Sequence, residues 1–378
     1  MKLIYISSSR IPSLTANSIH VMKMCQALGR MSLKVTLLAP DKCLLPSEEI
    51  KDVFSYYGVE KNFKIVKLPW YPIKGRAYIY GYIAAKYSQK VNADLVLSRN
   101  IFGAYFALKR KIVTALEMHQ SYEDGTVIAR YLLREVLNHD DLSKLILITN
   151  SLASYFSSEV PHISEKILIA PDAADPLSEN YKQINSIKIN TRFKVGYVGH
   201  LYKGKGMEII SMLAPMCPWA DFHVVGGTKK ENSYWSNRLS DLPNLIFHGH
   251  IPHKEVSSYI QAFDVVLLPN QSIIASSGGK SNISKWTSPL KLFEYMAAGK
   301  AIIASNLPVL KEVIQHGRNA LLCSPTEPEE WKKALELLKN QPELRKSLGK
   351  CAQELFLEKF TWDKRAELLV NELLADRD

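Results

Sequence analysis

Cysteine is scarce: there are five in 378 residues, an odd number with no Cys-x-x-Cys spacing. That excludes a disulfide framework, and a reduced, cytosolic chain without a metal site is expected. No apolar run approaches the roughly 18 residues of a membrane span. The opening MKLIYISSSR lacks the apolar core of a signal peptide and reads as a first strand. No Gly-x-Gly-x-x-Gly occurs, so the dinucleotide fingerprint is absent. Acidic residues are in deficit, 37 Asp and Glu against 48 Lys and Arg, for a formal charge of +11. The imbalance is concentrated early, because residues 1–100 hold 15 basic side chains and 6 acidic ones. Such an excess suits nucleic acid, anionic membranes or phosphorylated substrates. No zinc knuckle, RNP-like motif or Arg-rich helix is present, so nucleic acid is not expected as a partner.

What is present fills two cores, since 47% of residues are hydrophobic. The pattern is α/β and it starts twice. Lys2 to Ser7 reads as a buried strand, Ser18 to Arg30 as a helix and Leu33 to Ala39 as the next strand. Phe193 to Val198 opens the same alternation again, after a polar, unpatterned stretch from Leu177 to Thr191. Two domains are expected: 1–176 joined by a C-terminal helix 361–378, and 192–360, with 177–191 as linker.

Ser288 to Gly299, SPLKLFEYMAAG, carries the most information. Ser-Pro can open a helix. Leu292, Tyr295 and Met296 fall on one face, and Gly299 is placed to stop the helix. Ala301 to Ser305 then reads as a short buried strand. The free N–H groups of a helix start formed by Ser288, Pro289 and Leu290, Pro289 itself having none, suit an anion such as a diphosphate. Glu294 lies off the buried face, one turn in, where a carboxylate can accept from two vicinal hydroxyls of a ribose. An ordinary capped helix with a solvated glutamate reads equally well.

At these residues the chain resembles the retaining, GT-B-fold nucleotide-sugar glycosyltransferases, in particular the group 1, family 4-like branch. The resemblance implies two Rossmann-like domains facing across a cleft, with the last helix crossing back to the first domain. It implies an N-terminal acceptor domain and a C-terminal donor domain. Further matches follow the chain. Gly199-His200-Leu201 with Lys205-Gly206 resembles the family's Gly-Arg-Leu, three residues, Lys-Gly, whose lysine binds donor phosphate; His200 stands for the arginine. A second charge would then come from Lys203 or Lys291. Gly226 fits the strand under the donor, and His250 the turn near the nucleobase. Glu117-Met118-His119 resembles the family's Glu-x-His, which puts His119 near the donor sugar. Ala16 and Asn17 fall in the first loop, about where the family has glycines against the donor phosphate. The long polar loop 270–287, with Gly278, Gly279 and Lys280, corresponds to the region that approaches the sugar. The family's first glutamate, eight residues before Glu294, is here Trp286.

From Lys61 to Lys90 seven basic residues are uninterrupted by any acid and interleaved with Trp70 and five tyrosines. Lys64, Lys67, Trp70, Lys74, Arg76 and, at the end of a strand, Arg99 are candidates for an acceptor or anionic membrane surface. A solvated helix with an aromatic core face is the alternative.

The expected function is metal-independent transfer from a UDP- or GDP-sugar to a glycan or lipid-linked acceptor, in cell-surface polysaccharide or glycolipid assembly at the inner face of the membrane. His119, Lys205 and Glu294 would be its central residues, and no cofactor is required. No Asp-x-Asp occurs in the motif-bearing stretches, so fixed cations and a helix dipole would carry the leaving charge. The alternatives are a sugar-nucleotide epimerase of the same fold and a degenerate, non-catalytic nucleotide-sugar binder.

Overall fold

A computed structural model describes residues 1–13, 15–41, 50, 52–122, 125–177, 187, 192–274, 282 and 284–375. The chain divides into two compact units, residues 1–171 with 362–378, and residues 172–361. The first alternates β1 (Lys2–Ile6), α1 (Ala16–Arg30), β2 (Lys34–Pro40), α2 (Val53–Tyr57), β3 (Lys64–Leu68), α3 (Arg76–Lys90), β4 (Leu95–Ser98), α4 (Ile101–Leu108), β5 (Thr114–Met118), α5 (Val127–Leu137), β6 (Leu142–Leu147), α6 (Asn150–Glu159) and β7 (Ile167–Ile169). Its parallel sheet has the order β3-β2-β1-β4-β5-β6-β7.

The second unit runs β8 (Phe193–Val198), α7 (Met207–Met216), β9 (Ala220–Val225), α8 (Lys229–Arg238), β10 (Leu245–Gly249), α9 (His253–Ala262), β11 (Val265–Leu268), α10 (Leu290–Ala297), β12 (Ala301–Ser305), α11 (Pro308–Lys311), β13 (Leu321–Cys323), α12 (Pro328–Asn340) and α13 (Pro342–Lys359). Its six parallel strands are ordered β10-β9-β8-β11-β12-β13. The last helix, α14 (Trp362–Leu374), belongs to the first unit and lies on α1, where Arg30 meets Asp363 at 3.0 Å.

Central strands such as VVLL and AIIAS are buried throughout, as a parallel sheet covered on both faces requires. In each unit the order reverses once, between β1 and β4 and between β8 and β11. Ligands of such sheets bind at the strands' carboxyl ends by that reversal. In the second unit this is where β8 delivers Gly199 and His200.

α10 confirms the reading of SPLKLFEYMAAG. Leu292, Tyr295 and Met296 are buried, with Phe293 beside them. An isolated helix shorter than about 12 residues is marginal in water. Burying four such side chains, at about 1.5–3 kcal/mol each, is what holds this eight-residue helix. Gly299, at φ +62°, closes it: its N–H donates to Met296 O, and that of Lys300 to Tyr295 O.

One boundary differs from expectation. Ala16 and Asn17 are not loop residues but the first turn of α1, because the Thr15 hydroxyl accepts from Ser18 N and starts the helix early. The expected linker falls mostly outside the described residues, as do Gly278, Gly279 and Lys280.

Candidate functional site

In the second unit the ends of β8, β9 and β10 are laid against one another. Gly199 N donates to Val225 O at 2.9 Å, and Gly226 N to Gly249 O at 2.7 Å. Gly226 has φ +115°, and a Cβ there would come within 2.3 Å of Gly199 O, so only glycine lets the two turns approach. Gly199 is equally constrained: at φ +142° its Cβ would lie 2.9 Å from Lys291 Nζ.

That contact locates the second cation. Lys291 projects from the first turn of α10 over the face of Tyr197, with Nζ 3.9 Å from the ring centroid. The ammonium is buried and has no hydrogen-bond partner among the described residues. Burial, and next to it the charge of Lys205, pull its pKa well below the ordinary lysine value. Lys205 itself is pulled down to about 8 by burial. Lys203 is exposed and does not fill this position. The turn carrying Lys205 is braced by Gly204 N donating to Glu208 Oε1 at 3.1 Å. Two desolvated ammonium groups thus lie near enough to repel each other, and such a pair is stabilised by an anion.

His200 follows Gly199, half-buried against Tyr202. Burial lowers its pKa, and Lys205 and Lys291 lower it further, against an opposing pull from Glu231. It is therefore neutral at neutral pH and does not replace a permanent arginine charge. His250 follows β10 and is exposed.

At the same end of α10 as Lys291, Ser288 and Pro289 lie just before the helix, which starts at Leu290. Pro289 is the N-cap and offers no side-chain cap, while Ser288 Oγ accepts from Asp172 N at 3.1 Å. Glu294 is not an isolated solvated carboxylate: its Oε1 meets His253 Nε2 at 2.9 Å, both side chains being half-buried. His253 gave no signal in the sequence, because its partner is 41 residues away. A histidine opening a helix beside a turn already assigned to the nucleobase was the available hint.

In the first unit, β5 ends in a buried polar cluster. The Glu117 side chain is fully buried, and Oε1 lies 2.7 Å from His119 Nε2, 3.0 Å from His20 Nε2 and 3.0 Å from Arg365 Nη2. Tyr5 Oη donates to the other oxygen at 3.2 Å. Burial alone would raise this carboxyl, but Arg365, His20, Arg99 and the His119 hydrogen bond together hold it well below the usual range. Arg99 therefore belongs with this cluster rather than with the outer basic surface, and its Nη1 is buried without a hydrogen-bond partner among the described residues. His20, Glu117 and His119 have ligand atoms within 4.8 Å of one another. A fixed guanidinium on the same oxygen occupies the carboxylate with positive charge and opposes a metal ion there.

The basic and aromatic stretch divides in two. Tyr80, Ala84 and Ala85 form the core face of α3. Trp70 packs edge-on against Tyr80 with Arg76 over it, and Lys67 Nζ donates to Ile11 O. Lys64, Lys74 and Arg76 remain exposed, with Tyr71, Ile73, Tyr78 and Tyr82. α5, unread in the sequence, adds exposed Val127, Ile128 and Tyr131.

Residues 179–355 match the family model described as Glycosyl transferases group 1. Among curated proteins, an uncharacterized glycosyltransferase of Methanocaldococcus jannaschii is 26% identical over 67% of this chain and 72% of its own length. An uncharacterized glycosyltransferase of Haemophilus influenzae is 32% identical over 39% of each chain. A putative teichuronic acid biosynthesis glycosyltransferase of Bacillus subtilis is 30% identical over 30% of this chain and 27% of its own. The alignments thus span between 27% and 72% of these relatives. The chain matches the group 1 glycosyltransferases over most of its second unit.

Its fold is that of the GT-B glycosyltransferases. The structure is similar to Anabaena HepE in complex with UDP, with a TM-score of 0.76 at 16% identity over 99% of this chain and all of that one. It is similar to a sucrose-phosphate synthase from Thermosynechococcus elongatus, with a TM-score of 0.75 at 16% identity over 99% of both. Against the group 1 pattern two substitutions stand out: His200 for arginine and Trp286 for the first glutamate. Lys291 is a cation whose charge reaches His200.

Proposed function

We propose that this transferase moves a sugar, with retention and without a metal, from a UDP- or GDP-sugar to a glycan or lipid-linked acceptor of the cell surface. The observation that carries the reading is the pair of desolvated ammonium groups, Lys205 and Lys291, with no hydrogen-bonded counter-charge on Lys291. A diphosphate leaving group needs fixed positive charge that requires no reorganisation as the bond breaks. The uncapped N-terminus of α10 adds its dipole. Glu294, held by His253, is the ribose acceptor, and Gly199, Gly226, His200 and His250 line the donor. In this reading the leaving phosphate takes the acceptor's proton, so Trp286 costs no base. The role of His119 at the transferred sugar is carried by the resemblance of Glu117-Met118-His119. Structures of HepE with UDP and UDP-glucose, and of Staphylococcus aureus TarM with UDP and a GlcNAc-glycerol, support donor and acceptor of these classes.

No helix among the described residues is long and apolar enough to cross a membrane. We place the enzyme peripherally at the inner face instead. Val127, Ile128 and Tyr131 are 73%, 63% and 60% exposed, and Arg130 and Arg134 share their helix. Apolar and aromatic groups set among cations suit an anionic lipid surface.

A thermal-shift and hydrolysis screen against UDP- and GDP-sugars, with and without EDTA, tests the transferase. One donor that raises Tm and is slowly hydrolysed in EDTA is expected. No response to any nucleotide sugar would overturn the donor site.

A further inference from the structure

We propose that Arg365 is a positioning residue: from the last helix it fixes the Glu117 carboxylate, and through it the Nε2 edge of His119. This rests on the reading that His119 serves the transfer. Arg365 is buried, and each nitrogen of its planar fork has a partner. Nε donates to Pro171 O at 2.9 Å, and Nη2 to Ala170 O at 3.2 Å and Glu117 Oε1 at 3.0 Å. Nη1 lies 3.0 Å from Met24 Sδ on α1. Four groups are held by one rigid plane, and with Arg365 on Oε1 and Tyr5 Oη on Oε2 both oxygens of the carboxylate are fixed.

The carboxylate in turn dictates the imidazole of His119. An ionised Glu117 only accepts, so His119 must present Nε2–H to Oε1, while His20 Nε2 stands 3.0 Å from the same oxygen. The same helix presses on the pair a second time. Trp362 stands edge-on to His20 at 5.0 Å, and His20 edge-on to His119 at 5.0 Å. α14 therefore does more than cover α1: it supplies the charge and the wall that set the tautomer and tilt of His119. Arg365 also joins this seat to Pro171 and Trp362, the residues where the chain leaves the first unit and returns to it. A lysine at 365 delivers a point charge and cannot reproduce the fork.

The test compares wild type with R365M, R365K and E117Q. It measures kcat and KM for the donor, the donor-induced Tm shift, and the histidine tautomers by long-range ¹⁵N correlation spectra. R365M is expected to keep the donor-induced shift and a KM within about twofold, while kcat falls about tenfold or more. The Nε2–H signature of His119 should be lost, and R365K should recover part of both. If R365M does not fold, E117Q, which keeps the shape, is expected to show the same split. A folded R365M or E117Q with wild-type kcat and unchanged tautomers overturns the inference. So does a fall in kcat that only follows the folded fraction while the tautomers stay put. A wild type that answers no nucleotide sugar defeats the transferase reading instead, and the tautomer spectra still decide the seat.

Discussion

Lys291 Nζ rests 3.9 Å from the centre of the Tyr197 ring, in the space that Gly199 leaves by having no side chain. The aromatic face supplies part of the lost hydration, but no hydrogen bond is made to any described residue. Such an arrangement is poor for the unliganded fold and good for a ligand that brings negative charge.

K291M should therefore separate stability from binding. The unliganded protein is expected to melt higher, since a desolvated cation is removed. UDP affinity should fall by about 1.5–3 kcal/mol, the worth of a charge-assisted hydrogen bond, or roughly ten- to a hundredfold. Calorimetric titration and melting curves check both. An unchanged Kd would remove Lys291 from the site.

Binding should also depend on pH through Lys205. Its ammonium is lost in the folded protein as pH rises through about 8, so UDP affinity declines there. Stability moves the opposite way. Between about 8 and the ordinary 10.5 the unfolded chain still binds the proton that the folded one has lost. The unliganded protein therefore gains stability with rising pH across that window. K205R, permanently charged, should flatten the affinity profile; a profile that keeps its shape in K205R would assign the titration elsewhere.

Glu294 and His253 should be readable separately from the phosphate site. E294A is expected to weaken UDP about tenfold while leaving inorganic pyrophosphate unaffected, because only the ribose contact is lost. H253A should give a smaller loss in the same direction, since the carboxylate remains but is no longer held. Equal losses for UDP and pyrophosphate would mean that Glu294 acts on the cations and not on the sugar.

Vesicle binding should follow the exposed face of the first unit. Removing an attraction of about 1 kcal/mol per basic residue, K74E with R76E should lower binding to phosphatidylserine vesicles more than tenfold. V127D with I128D should lower it at high salt as well. Binding that ignores both pairs and ionic strength would exclude this surface.

Much of this was legible because it is local. Leu292, Tyr295, Met296 and Gly299 announce their helix by spacing, and the runs FKVGYV and AIIAS announce buried strands by being apolar throughout. The glycines at 199 and 226 were visible as residues, though not what each makes room for. Pairings distant in sequence left no trace: His253 with Glu294, Lys291 with Tyr197, Arg365 with Glu117. α5 is a helix that spacing does announce, since Ala129, Leu132, Leu133, Val136 and Leu137 fall on one buried face, even with Val127, Ile128 and Tyr131 exposed. Ala16 and Asn17 were read as loop because Thr15, a cap, looks like any other polar residue before a helix.

The first unit is closed by α14, whose residues come from the far end of the chain. During synthesis the sheet of that unit is complete once Ile169 has emerged, but its Glu117 waits for its guanidinium until residue 365 does. The earliest-made half is thus the last to be finished. Through translation of about two hundred residues, some tens of seconds at ribosomal speeds, it carries a buried carboxylate without its arginine and an α1 face without its cover. A nascent chain stalled before residue 362 should be recognised by chaperones through that face, and one released after α14 should not.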